Sequence, residues 1–263
     1  MDLSAYLKND VGKKDLTTRL AVPDVDGTAY VICCEDAVVA GIGEAADLFE
    51  SFGVDATPLA EDGDRVRAGS RVLSVSGPLP GIITCKRTAL GFLARMTAVA
   101  TRTSEAVADS NGTPMTSLDL ATPGFGEFER KAVAVGGGKM RAGTLDSAII
   151  LRKEHIKACG SLRNALSRLD DAPFSFKKEI EVSDEGEAKA AAEAGADIIL
   201  VSGKDAASVK RIADAAKAVS PGMIVEASCD ADDVGAFSGV ADLLSVEGLI
   251  GLSGFKPFRL EML

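Results

Sequence analysis

Histidine is almost missing from this chain, with His155 standing alone among 263 residues. That excludes histidine-rich metal centres, and it makes any serine-histidine-aspartate triad rest on this one residue, for which no nucleophile motif is in sight. Cysteine is sparse as well. Cys33, Cys34, Cys85, Cys159 and Cys229 are odd in number and include no CxxC pair, which argues against a disulfide framework and a structural zinc site. The vicinal pair closes an apolar run, Tyr30-Val31-Ile32-Cys33-Cys34, and reads as strand rather than as a redox couple. No apolar run approaches the roughly 20 residues needed to cross a bilayer. Met1-Asp2-Leu3-Ser4 also lacks the basic-then-apolar pattern of a signal peptide, so a cytoplasmic protein without membrane contact is expected.

Positive charge is in deficit too. Lys and Arg number 29 against 39 Asp and Glu, a net charge of -10, which repels nucleic-acid backbones and anionic lipid. Any anionic small molecule must therefore be held by a local basic cluster.

What the chain does have is 46% hydrophobic residues, enough for two modest domains or one barrel. Residues 1–105 carry short apolar segments (Ala29 to Cys34, Val38 to Ile42, Arg71 to Val75) separated by turn-rich stretches such as Glu61-Asp62-Gly63-Asp64. That pattern predicts a small α/β sandwich domain with an antiparallel sheet. Thr84 to Val107 spaces Leu90, Leu93, Met96 and Val99 helically and leads into the remainder.

Over residues 106–263 a strand-helix rhythm takes over. Met115 to Leu120, Ala148 to Leu151, Glu179 to Val182, Asp197 to Val201, Met223 to Ala227 and Asp242 to Val246 are strand-like. Alanine-rich helices lie between several of them, as in Gly186 to Ala194 and Asp205 to Val219. Parallel strands with right-handed crossovers follow, in an open sheet or, as favoured here, an α/β barrel, with the last residues free to pack back on the first domain. Ligands then bind beyond the carboxyl ends of the strands. Those ends carry Asp119, Arg152, Glu181, Ser202, Glu226, Ser228, Ser245 and Glu247.

Two glycine signals are weighed separately. Gly41-Ile42-Gly43-Glu44 imitates a dinucleotide fingerprint, but no acid follows about 20 residues on at a second strand end. Gly136-Gly137-Gly138 is compatible with a backbone cradle for phosphate or with close chain packing.

A series of blocks in order then resembles the quinolinate phosphoribosyltransferases (nicotinate-nucleotide pyrophosphorylases). Asp15-Leu16-Thr17-Thr18 comes first, followed by Cys85-Lys86-Arg87-Thr88-Ala89-Leu90-Gly91-Phe92-Leu93 and Ala98-Val99-Ala100-Thr101. Thr122-Pro123-Gly124, Lys131-Ala132-Val133, the triple glycine and Arg152-Lys153-Glu154-His155 form the central block. Glu179-Ile180-Glu181-Val182, Gly195-Ala196-Asp197-Ile198-Ile199, Glu226-Ala227-Ser228 and Asp242-Leu243-Leu244-Ser245-Val246 complete the series. The resemblance implies an N-terminal sandwich joined to an irregular α/β barrel. It also implies a homodimer or higher homo-oligomer, and a Mg²⁺-assisted transfer of phosphoribose to a pyridine dicarboxylate in pyridine nucleotide biosynthesis. Arg87 matches the arginine lent across the dimer to the substrate carboxylate, and Arg152 stands where the family has a lysine. His155 matches the histidine of its block, Glu181 the acid that helps hold ribose and metal, and Ser228 a serine at the phosphate end. No residue is assigned as a protein-held metal ligand.

The departures are equally specific. Leu118-Asp119-Leu120-Ala121 replaces the family's Thr-Arg-Lys-Thr, and Lys139-Met140-Arg141 replaces Asn-His-Arg. An ungapped alignment puts Arg141 on the histidine, whereas a one-residue gap restores it to the arginine. Ser202 stands for an aspartate, Glu247 for a glycine near the 5-phosphate, and Cys229-Asp230 for a glycine pair. A carboxylate about 5 Å from a phosphate costs about 3 kcal/mol at an effective dielectric of about 20.

The expected function is therefore a phosphoribosyltransferase-like enzyme, a glycosyltransferase, whose pocket is re-aimed at a non-standard small molecule. Asp119 and Glu247 would meet amines or hydroxyls there, and Lys139, Arg141, Arg152 and Lys153 would supply the remaining cations. The alternative is a non-catalytic dimeric binding or regulatory paralogue. A third reading keeps the ordinary quinolinate reaction through shifted cations, Lys139 and Arg141 standing in for the missing pair.

Overall fold

A computed structural model describes residues 3–141, 143–169 and 171–263. The chain divides into two compact units, one built from residues 1–104, 131–137 and 252–263, the other from 105–130 and 138–251.

In the first unit, short helices α1 (Ser4–Val11) and α2 (Leu16–Ala21) precede a four-stranded antiparallel sheet. Asp15 caps α2, its carboxylate accepting from the Thr18 N–H at 3.0 Å. The strands are β1 (Asp26–Cys33), β3 (Asp55–Pro58) and β5 (Arg71–Pro78), with the C-terminal strand Phe258–Met262 on the outer side of β1. A two-stranded ribbon of β2 (Ala37–Val38) and β4 (Arg65–Val66) and helix α3 (Ile42–Glu50) complete this part. Cys33 lies buried inside β1, and burial pushes its thiol up. The apolar periodicity read at Thr84 to Val107 becomes α4 (Leu79–Asp109), 31 residues long and continuing past the unit boundary. It buries Ile82, Ala89, Phe92, Leu93, Met96 and Val99. Hydroxyls of its buried Thr97 and Thr101 accept from the N–H groups of Ala40 and Val38, so the chain between β2 and α3 is sewn to the helix.

The second unit is a curled half-barrel of six parallel strands in the order β6-β11-β10-β9-β8-β7. Its strands are β6 (Met115–Ser117), β7 (Ile149–Leu151), β8 (Lys178–Val182), β9 (Ile198–Val201), β10 (Ile224–Asp230) and β11 (Leu243–Glu247), which makes the C-terminal strand β12. The connections carry α5 (Gly126–Val135), α6 (Lys153–Ala158), α7 (Leu162–Ser167), α8 (Glu185–Glu193), α9 (Ala206–Val219) and α10 (Val234–Phe237). Carboxylates of Asp184 and Asp205 cap α8 and α9 by accepting from Glu187 N–H and Ser208 N–H.

Strand periodicity sorts the side chains. Ile180, Val182, Ile199, Val201, Val225, Ala227, Leu244 and Val246 join Ala188, Ala191, Val209, Ile212 and Ala216 from the helices in one core. The residues alternating with them, Glu179, Glu181, Glu226, Ser228 and Ser245, occupy the opposite face and are also buried. A sheet with one apolar face and one face of buried acids must bring counter-charges to the second, because an unpaired buried carboxylate is costly.

The first glycine of the triple run serves close packing. A methyl group at Gly136 would lie 2.5 Å from the Ala100 carbonyl oxygen and 2.6 Å from Thr103 Cβ. Gly136→Ala is therefore expected to destabilise the protein by about 1–3 kcal/mol in urea unfolding. A neutral effect would mean that this packing is slack.

Candidate functional site

The buried acids meet one guanidinium. Arg141 reaches the polar face with its Nη2 donating to Glu179 at 2.6 Å, while its Nη1 donates to Ser245 Oγ at 2.9 Å and to Glu226. Ser245 Oγ also donates to Glu226. Arg152, immediately after β7, places its own Nη2 3.5 Å from the same Glu179 oxygen. Lys153 follows, with Nζ 3.2 Å from Glu181 and its backbone N–H donating to the other Glu181 oxygen at 3.3 Å. Three glutamates from two strands are thus met by Arg141, Arg152 and Lys153.

Ionisation follows from this geometry. Burial alone would lower the Arg141 pKa, but the charges of Glu226 and Glu179 outweigh it and hold the guanidinium firmly protonated. Glu179 moves the other way for an acid: burial, then the Glu226 charge, push its carboxyl above the ordinary range despite Arg141 and Arg152. Arg141 gains from two acidic neighbours, whereas burial and then the Glu226 charge weigh on Glu179 more than Arg141 and Arg152 offset them.

The other expected site residues are placed as follows. Lys139 is exposed, and its backbone extends the edge of β6 through its N–H to Met115 O and its carbonyl to Thr116 Oγ1. His155 is exposed in the first turn of α6, and its Nδ1 accepts from Arg152 N–H at 3.0 Å, so it caps a helix. Ser202 directly follows β9, and Ser228 Oγ accepts from Gly203 N–H at 3.3 Å. Glu247, exposed at the end of β11, lines a cavity of about 280 Å³ with Lys204, Ser228, Asp230, Asp233 and Phe237. Asp119 departs from the expectation of a carboxylate offered to amines or hydroxyls, because both its oxygens are taken by the protein's own backbone N–H groups at Gly248 and Ile250, 2.7 and 2.6 Å away. Arg87 lies in the other unit, highly exposed, and pairs with Asp10, which holds that carboxyl below the usual carboxylate range. The fingerprint-like N-terminus of α3 is likewise filled, the N–H groups of Gly41 and Ile42 donating to Asp62 at 2.9 Å each.

Glu179 and Ser245 belong to this cluster although the residue-by-residue comparison with the family did not single them out. Their signal was the period-two alternation, which places Glu179 beside Glu181 on one face and Ser245 beside Glu247. Among the described residues no three His, Cys, Asp or Glu side chains are grouped to hold a metal, and Glu181 is engaged by Lys153.

A half-barrel whose inward face pairs buried acids with basic residues supplied from its loops has the form of an α/β protein that binds charged small molecules at its strand ends. Sequence and structural comparisons narrow this class. Residues 15–97 match the quinolinate phosphoribosyl transferase N-terminal domain, and residues 99–253 match the C-terminal domain of the same family. A relative described as a probable nicotinate-nucleotide pyrophosphorylase [carboxylating], from Methanothermobacter thermautotrophicus, is 34% identical over 74% of this chain and 72% of its own. One from Archaeoglobus fulgidus is 32% identical over 69% of this chain and 71% of its own. The crystal structure of NadC from Streptococcus pyogenes superposes with a TM-score of 0.90 at 29% identity, covering 99% of this chain and 95% of the other. The chain belongs to the quinolinate phosphoribosyl transferase family.

Glu179 gives a pH signature. With its folded pKa raised, folded protein binds the proton more tightly than unfolded protein between the ordinary glutamate value and the folded one. Its contribution to stability is fully present at low pH and is lost as pH rises through the folded value. The stability of wild type relative to Glu179→Gln should therefore rise as pH is lowered from neutrality towards the glutamate range, measured by urea unfolding at each pH. A difference that falls on acidification would contradict this assignment.

Proposed function

We propose that this chain is a phosphoribosyltransferase of the nicotinate-nucleotide pyrophosphorylase type, running the quinolinate reaction with cations moved from their usual positions. The carrying observation is the delivery of Arg141 to the half-barrel's polar face, where it is already desolvated and clamped by Glu179, Glu226 and Ser245. The reaction brings two carboxylates, a 5-phosphate and a pyrophosphate together, and such anions are held in a partly dry pocket only by charge-assisted donors. Arg141, Arg152, Lys153 and Lys139 provide them. An entering carboxylate exchanges with Glu179 for the Arg141 guanidinium, and Glu179, whose carboxyl burial already pushes up, takes a proton or keeps Arg152 as its partner. Departure of pyrophosphate leaves the sugar C1 electron-deficient, and the buried carboxylates, Glu181 first, stabilise that developing positive charge. Ser228 lies towards the phosphate end. The resemblance lends Arg87 to the acceptor carboxylate of a second copy, and on that ground the working form is a homodimer or larger.

A second reading, a changed acceptor with less negative charge, is favoured by one observation: Asp230, Asp233 and Glu247 line the cavity beyond β10 and β11 against a single Lys204.

Purified protein with quinolinate and phosphoribosyl pyrophosphate should yield nicotinate mononucleotide, and Arg141→Ala should lower kcat/KM about a hundredfold or more. Turnover of nicotinate or nicotinamide in place of quinolinate would support the second reading. No turnover, with no calorimetric binding of phosphoribosyl pyrophosphate, would contradict both and leave a non-catalytic binding protein.

A further inference from the structure

The backbone just past β11 turns two N–H groups towards one point. Gly248 N–H donates to Asp119 Oδ1 at 2.7 Å and Ile250 N–H to Oδ2 at 2.6 Å, with Ser117 Oγ donating to Oδ2 at 3.1 Å. Gly248 has a φ of 84°, which lets the chain curl round the carboxylate at a position where a side chain would be strained. Backbone N–H groups of a turn that converge on one point form a concavity with affinity for an anion.

Charge distinguishes this arrangement from an ordinary structural brace. Asp62 fills the N–H pair of Gly41 and Ile42 in a similar way, but Lys131 Nζ lies 3.1 Å from it and balances its charge. Among the described residues no cation pairs with Asp119, so backbone dipoles and one hydroxyl hold its carboxylate. It sits at the strand-end rim, on the same side as Glu247.

We infer that the loop 248–250 is an anion-binding nest whose resident occupant is the protein's own Asp119, so that this carboxylate keeps other anions off the Gly248 and Ile250 N–H groups. The inference holds whichever acceptor the protein uses, since it concerns anion occupancy and not turnover.

Titration with sodium formate tests it, because formate carries the functional group that Asp119 contributes. In full-length, deuterated Asp119→Ala the backbone amide resonances of Gly248 and Ile250 should shift saturably with millimolar formate, and the thermal midpoint should recover towards wild type. Sodium chloride at the same ionic strength should do neither, and the wild-type resonances should not move. Wild-type amides that respond as the variant's do would overturn the inference. So would variant amides that stay dispersed but unresponsive, or a stability loss that formate does not recover. Should the alanine variant fail to fold, the same titration on Asp119→Asn decides. Formate should perturb the two amides at a concentration at least tenfold below any wild-type response, and equal responses would overturn the proposal.

Discussion

One guanidinium shared between two buried carboxylates is the constraint on which the site depends. Glu179 on β8 and Glu226 on β10 project from the face of the half-barrel that the helices leave uncovered, and neither is more than slightly accessible. Two such charges would split the sheet or force protonation if left alone. Arg141 answers both, and Arg152 leans on the same oxygen of Glu179. Glu226 depends on Arg141 alone for an ion pair among those described, whereas Glu179 draws on Arg141 and Arg152.

From this follows a mouth with two ends of different character. Around β7 and β8 the loops contribute Arg152 and Lys153, and Arg141 comes in from the segment before β7. Around β10 and β11 the rim carries Asp230, Asp233 and Glu247, with Asp119 sealed against the backbone behind them. Net charge alone would suggest an anion-repelling protein. The local arrangement instead brings Arg141, Arg152 and Lys153 together beside the buried acids of the sheet.

Much of this was legible in the residues and some was not. Six strands and the long helix could be read because short β-branched runs and helical apolar spacing impose their own periods, and each appears within a few residues of its expected place. The polar face could also be read from the alternation in Glu179-Ile180-Glu181-Val182 and Glu226-Ala227-Ser228. What the linear chain hid was direction. Whether Arg141 aligns with a histidine or an arginine matters less than where its side chain goes, and only the folded sheet shows it between two acids. Asp119 was legible as an acid in a basic position, yet its partners, the N–H groups of Gly248 and Ile250, lie far away in sequence, and backbone donors leave no mark in side-chain identity. For His155 the chain showed the match to a family histidine, and the fold adds that its Nδ1 accepts from Arg152 N–H at the start of the helix that begins at Lys153.

The central claim is that Arg141 is held by, and compensates, Glu226 and Glu179. A double-mutant cycle in Arg141→Met and Glu226→Gln, read by urea unfolding at neutral pH, tests it directly. The account predicts a coupling of about 2 kcal/mol or more, with the single Arg141→Met change far more damaging than the same change made beside Glu226→Gln. Additive effects, with a coupling near zero, would contradict it.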